Sequence, residues 1–229
     1  MSRTPGSGRR LAQRVKTAKG RPIGSSEWLR RQLNDPYVAE AKERGYRSRA
    51  AFKLTEIDDK IRVLKPGARV LDLGAAPGGW TQVAVERTRA SGEGKGGRVL
   101  GVDISEMGAI PGATIMKLDF LDERAPASIR SALDGPVDVL LSDMAASTTG
   151  DPGTDHLRIM NLVEAALELA TEVLRPGGAF IAKMLQGGGE KAFQEELRRK
   201  FATVRRIKPP ASRPDSAEFY FVATGYKGG

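Results

Sequence analysis

The chain has 229 residues, with 37 Lys and Arg against 28 Asp and Glu, one His and no Cys, for a formal net charge of +9. The absence of Cys excludes a disulfide framework, thiolate-ligated zinc and a thiol nucleophile, and a single His leaves no His-rich metal site and argues against a His-centred triad. Charge is unevenly distributed: residues 1–50 carry 13 basic and 4 acidic side chains, a net of +9, whereas the remaining 179 carry 24 of each.

Residues 1–24 contain seven basic side chains, no acid, four Gly and two Pro, so they offer almost nothing to a core and are expected to form a flexible arm. Such an arm serves either attraction to nucleic-acid phosphates or solubility. Residues 25–65 carry helical periodicity: Trp28, Leu29 and Leu33, then Tyr37, Val38 and Ala41, then Ala50, Leu54, Ile57 and Ile61. Pro36 opens the second of these helices, where its missing N–H costs little. From residue 66 the texture changes to short apolar runs at 69–73, 98–102, 114–118, 137–141, 179–182, 204–207 and 219–223, with helical stretches at 79–88, 123–133, 155–174 and 190–201. The longest stretch lines up Leu157, Met160, Val163, Ala166, Leu167, Ala170 and Val173, and the tract from Arg175 to Gly178 is expected to stop it.

Strands alternating with helices predict an α/β fold, a mostly parallel seven-stranded sheet with an antiparallel edge and helices on both faces. Residues 25–229 are read as a single domain, N-terminal helices at 25–65 and a core at 66–229. No run approaches the roughly 18 apolar residues of a membrane span, and no apolar stretch marks a secretory signal, so a soluble cytoplasmic protein is expected.

In an open parallel sheet, ligands bind at the carboxyl ends of the strands. Five runs end in or near a chargeable side chain: Asp72, Asp103, Asp119, Asp143 and Lys183. One such carboxylate is ordinarily a helix cap, but five along one rim describe a polar pocket. The first crossover, Asp72-Leu73-Gly74-Ala75-Ala76-Pro77-Gly78-Gly79-Trp80, departs from the G-x-G-x-x-G pattern that admits a pyrophosphate, and a Walker lysine is missing too. An acid before a turn of small residues, with Asp103 placed to accept hydrogen bonds from a ribose diol, suits a ligand with a cationic head and a ribose. S-adenosyl-L-methionine meets both demands. Asp72, Gly74, Gly78 and Gly79 are its candidate contacts in the turn.

The turn 72–80, the segment Ser48-Arg49-Ala50-Ala51-Phe52-Lys53-Leu54, the run Leu141-Ser142-Asp143-Met144-Ala145 and the tract Pro176-Gly177-Gly178 leading to Lys183 resemble the FtsJ family of RNA ribose 2′-O-methyltransferases, over about residues 26–226. The likeness is strongest to its bacterial branch, whose members modify a uridine in the A-loop of 23S rRNA. This resemblance implies a Rossmann-like S-adenosyl-L-methionine-dependent methyltransferase fold and a Lys-Asp-Lys-Glu tetrad at Lys53, Asp143, Lys183 and Glu218. It further implies cofactor contacts at Gly78, Trp80, Asp103, Asp119 and Asp143, and 23S rRNA within the 50S subunit as partner, with no metal. Ala146 departs from relatives that carry Asn there. A monomer is expected from the small size and few aromatics.

A ribose hydroxyl is a poor nucleophile, and a positioned base helps to remove its proton as attack proceeds. Lys183 is expected to be that base, with Lys53 favouring its neutral form and orienting the ribose, and Asp143 and Glu218 holding the amines. The competing expectation keeps Lys183 charged, steering the hydroxyl lone pair. Left open beside the rRNA reading are a tRNA ribose 2′-O-methyltransferase and a non-catalytic ribosome-assembly factor. Lys42, Arg44, Arg47 and Arg49 lead directly to Lys53 and are candidate RNA contacts. Arg198, Arg199 and Lys200 read as a solvated helix end that Arg205, Arg206 and Lys208 could extend, and His156 as a surface residue. Considered without the family, Trp80 reads equally well as core.

Overall fold

The computed structural model describes residues 29–30, 32–90, 96–145 and 150–228. The basic arm, Trp28 and Ala146 lie outside the described residues. Helical residues 29–30 and 32–34 precede α1 (Pro36–Glu43), whose N-cap Asp35 accepts the Tyr37 N–H and whose first position is Pro36. Then follow α2 (Ala50–Ile61), β1 (Arg69–Leu73), α3 (Gly79–Thr88), β2 (Arg98–Asp103), β3 (Ala113–Lys117), α4 (Ala125–Leu133), β4 (Val137–Ser142), α5 (Pro152–Val173), β5 (Leu174–Leu185), α6 (Glu190–Lys200), β6 (Phe201–Ile207) and β7 (Glu218–Tyr226). All seven strands form one sheet in the order β3-β2-β1-β4-β5-β7-β6, with β7 antiparallel to both neighbours.

Strand side chains alternate between two cores, because successive residues point to opposite faces. Leu71, Leu73, Leu140, Phe180, Ala182 and Phe221 face α4, α5 and α6. Val70, Val139, Leu141, Ile181, Tyr220 and Val222 face α2 and α3 through Leu54, Ile57, Trp80 and Val83. The continuous apolar runs in the sequence are thus strands buried on both sides.

Several boundaries differ from the sequence reading, and those at the two ends of α5 have clear causes. Helix α5 begins at Pro152 because Asp151 caps it, its side chain accepting the Thr154 N–H at 2.7 Å. At its other end the strand starts at once: Leu174 pairs with Val137, the exposed tract Arg175-Pro176-Gly177 bulges out, and Ala179 resumes pairing with Val139. Gly177 turns the bulge at φ +83°, a conformation open to glycine.

Candidate active site

The switch point of the strand order lies between β1 and β4, whose carboxyl ends open a cleft of about 580 Å³. Gly74, Asp103, Asp119 and Asp143 line it, with apolar walls from Val102, Leu118, Phe120 and Met144. Turn geometry orients the acids: Asp103 accepts the Ala76 and Ser105 N–H groups at 2.9 and 2.7 Å, and Asp119 accepts that of Leu121 at 3.0 Å. Carboxylate oxygens retain acceptor capacity beyond these bonds. Gly74 sits at φ +73°, and a Cβ there would lie 2.6 Å from Met144 Cγ, so only glycine lets the first turn approach the β4 turn.

Asp72, near the end of β1, is fully buried and does not line the cleft, with Oδ2 accepting the Thr81 hydroxyl at 2.7 Å and Oδ1 lacking a hydrogen-bond partner. Burial pushes its carboxyl up to about 7, against the Thr81 bond, with Asp143 and Asp103 adding to the rise. An orphaned acidic acceptor beside an acid-lined, half-apolar cleft fits a ligand carrying a cationic amine, a ribose and a flat base. In the free protein the folded state holds the Asp72 proton up to about pH 7, whereas the unfolded chain releases it near 3.8. The folded state therefore binds more protons in that window, and stability falls as pH rises through it. Asp72→Asn is expected to flatten this slope, read by urea unfolding at pH 5 and 7.5; a variant with the wild-type slope would show that Asp72 does not carry it.

Gly78, Gly79 and Trp80 do not line the cleft. The two glycines pack against Arg47, Ser48 and Ala51, leaving no room for a Cβ. Trp80 is 2% exposed, donates its indole N–H to Ala50 O at 2.9 Å and packs on Tyr220 with ring centroids 5.5 Å apart. Its side chain joins α3 to α2 and the sheet.

The tetrad positions assemble as two ion pairs. Lys183 Nζ donates to Asp143 O at 2.6 Å and lies 3.2 Å from Asp143 Oδ1. Lys53 Nζ lies 2.7 and 2.9 Å from the two Glu218 carboxylate oxygens, with both side chains largely buried. Register explains the convergence: Lys183 pairs with Tyr220 across β5 and β7, which puts Lys183, Tyr220 and Glu218 on one sheet face. Helix α2 packs on that face and delivers Lys53 from its first turn.

Tyr220 is the residue that sequence reasoning missed. Its hydroxyl donates to Asp143 Oδ1 at 2.8 Å, and its ring lies 5.9 Å from Lys53 Nζ. Burial, reinforced by Asp143 and Glu218, raises the phenol well above its usual range, so it stays protonated and donates.

The arginines that lead to Lys53 also bond within the protein. Arg47 donates to the carbonyls of Pro77, Gly108 and Ala109 at 3.3, 2.7 and 2.6 Å, pinning the β2–β3 loop to the first turn. Arg49 pairs with Asp35 at 2.8 Å and donates to Ala211 O at 2.6 Å. Arg44 pairs with Glu40 and covers the Phe52 ring. These three guanidiniums spend themselves on the protein's own groups. His156 is half-buried, with Nε2 bonded to Gly188 O.

Among the described residues no helix is long and apolar enough to cross a membrane, and no group of acids or His could hold a metal. The sheet order, the cleft at its switch point and the paired lysines beside it define a Rossmann-like methyltransferase. Residues 46–226 match the FtsJ-like methyltransferase family. The chain is 59% identical to ribosomal RNA large subunit methyltransferase E of Paramagnetospirillum magneticum, over 99% of this chain and 95% of that one. It is 53% identical to the protein of the same name from Jannaschia sp., over 100% and 98%. A crystal structure named as a ribosomal RNA methyltransferase from Plasmodium falciparum superimposes with a TM-score of 0.70 at 28% identity, covering 80% of this chain and all of that one. The chain belongs to the FtsJ-like methyltransferase family.

Proposed function

We propose that the chain transfers a methyl group from S-adenosyl-L-methionine to the 2′-oxygen of a uridine ribose in the A-loop of 23S rRNA, within the 50S particle. The observation that carries this reading is the meeting of the Lys183–Asp143 and Lys53–Glu218 pairs around Tyr220, at the edge of an acid-lined cleft. The names of the curated relatives support the large-subunit rRNA substrate. The protein acts as a cytoplasmic monomer.

When bound, the cofactor supplies an electrophilic methyl group on a sulfonium. Asp103 and Asp119 would hold its ribose and adenosine, and Asp143 would favour its cationic end, with the buried Asp72 adding to that only once ionised. In its neutral amine form Lys183, fixed by Asp143, would take the 2′-hydroxyl proton as the oxygen–methyl bond forms and the methyl–sulfur bond breaks. Lys53 and Glu218 hold the ribose, so that much of the acceleration comes from placement.

Incubation of the protein and labelled cofactor with total tRNA, naked 23S rRNA and unmodified 50S subunits, followed by mapping of the modified ribose, tests the reading. Label confined to one uridine of 23S rRNA is the expected result. Label entering only tRNA overturns the substrate, and cofactor binding without label in any RNA overturns the activity in favour of an assembly factor.

Residues 1–24 act as a phosphate-attracting arm of a single methyltransferase domain in this reading. Their deletion is expected to weaken RNA binding and flatten its salt dependence while cofactor affinity stays unchanged. Equal salt slopes with and without the arm would reduce its charge to a solubilising role.

A further inference from the structure

Helix α2 presents Lys53 at one end; at its other end the same sheet face opens a groove of about 610 Å³. Lys60, Arg62, Lys65, Arg175 and Arg205 line it, with Asp138 as the one acid. Asp138 is already engaged, by Arg175 and by the Arg69 N–H at 2.7 Å. The neighbouring acids are spent as well. Asp58 accepts the Val63 and Leu64 N–H groups, both at 2.9 Å, and Asp59 pairs with Arg87 at 2.6 Å. Lys60, Arg62, Lys65 and Arg205 are left exposed, with no carboxylate partner among the described residues.

A helix C-terminus favours cations, which accounts for Lys60 and Arg62. It does not account for Lys65, in the loop beyond, or for Arg205, which β6 directs to this face by pairing with Val222. Arg62 moreover keeps a long side chain at φ +57°, where glycine or asparagine is usual. The basic residues that follow Arg205 are otherwise occupied. Arg206 stacks over Phe219 on the opposite face, 3.6 Å from the ring centroid, and Lys208 donates to Pro214 O and Ser216 O.

We propose that this groove binds backbone phosphates of the RNA substrate, as a second contact remote from the methyl-transfer pocket. The proposal rests on the reading of the chain as an RNA methyltransferase. Four unpaired cations from two separate segments, residues 60–65 and strand β6, strung along an open groove, match a row of phosphodiesters better than one compact anion, and a cleft concentrates their field. Lys53 and Lys60 are seven residues apart on one helix, roughly 10 Å of rise, so a strand whose ribose reaches Lys53 can lay further phosphates here.

The test measures binding of naked 23S rRNA against KCl concentration for wild type, for the variant Lys60→Gln/Arg62→Asn/Lys65→Gln/Arg205→Gln, and for the control Arg198→Gln/Arg199→Gln on α6. Asn suits the left-handed backbone at 62. At about 0.7 per phosphate contact, the groove variant is expected to lose about 3 from the log–log salt slope and to bind roughly tenfold or more weakly at low salt. Its cofactor affinity and unfolding midpoint stay at wild-type values, and the control binds RNA as wild type does. A groove variant with wild-type slope and affinity, or a control that loses as much per charge removed, overturns the proposal. The slope needs binding alone, so methyl transfer failing on every RNA would sink the activity reading, whereas an unchanged slope sinks the groove.

Discussion

Lys183→Arg is expected to lower the single-turnover rate of methyl transfer by about 10²- to 10⁴-fold, the usual contribution of a positioned general base. Arginine keeps the positive charge and can still reach Asp143, but its guanidinium does not deprotonate in proteins and cannot accept the hydroxyl proton. The substitution therefore separates the two roles open to this residue. If Lys183 only steers the hydroxyl lone pair by its charge, arginine preserves most of the rate. The surroundings make the comparison clean: Asp143 is held from two sides, by Lys183 and by the Tyr220 hydroxyl at 2.8 Å, and Tyr220 is itself locked against Trp80. A variant that binds cofactor and 23S rRNA normally and retains more than about a tenth of the wild-type rate would remove the general-base role.

Glu218→Leu is expected to cost about 3 kcal/mol of stability, because it strands the Lys53 ammonium in a largely buried position. Lys53→Met should cost a similar amount by leaving the carboxylate alone. The double variant Lys53→Met/Glu218→Leu should recover much of the loss, since replacing a buried pair with apolar groups removes its desolvation cost. Denaturant unfolding of the four proteins closes the cycle. Losses below about 1 kcal/mol for each single variant would mean that water screens the pair as it does at a surface. Methyl transfer is expected to fail in the double variant despite the recovered stability, since the proposed mechanism uses this pair to hold the ribose.

Much of the fold was legible because its signals are local. Apolar runs bounded by Gly and Pro marked all seven strands, and β1 and α3 fall on the residues their patterns indicate. The rim acids were visible for the same reason, each following its own strand. The four tetrad positions were named through motif resemblance, and the structure brings them together as two pairs. Tyr220 was not visible. It sits in the apolar run 219–223 and reads as an ordinary strand residue, while the acceptor of its hydroxyl is 77 residues away. The internal bonds of Arg47 and Arg49 were hidden for the complementary reason: charge in sequence says nothing about a distant carbonyl, and the carbonyls they reach lie 30 to 162 residues away. The basic residues on and just after β6 divided likewise, Arg205 and Arg206 to opposite faces by the pleat and Lys208 into loop carbonyls.

By itself the sequence determined an α/β chain with an acid-tipped parallel sheet, a balanced body and an excess of positive charge confined to the first 50 residues. These are properties of composition and short-range pattern, written in the identity of neighbouring residues. Only the tertiary structure decided that β7 enters between β5 and β6, that Tyr220 thereby stands opposite Lys183, and that four cations are left without partners at the far end of α2. Those outcomes depend on which distant segments pack together and which polar groups that packing satisfies, and no window along the chain contains both halves of such a contact.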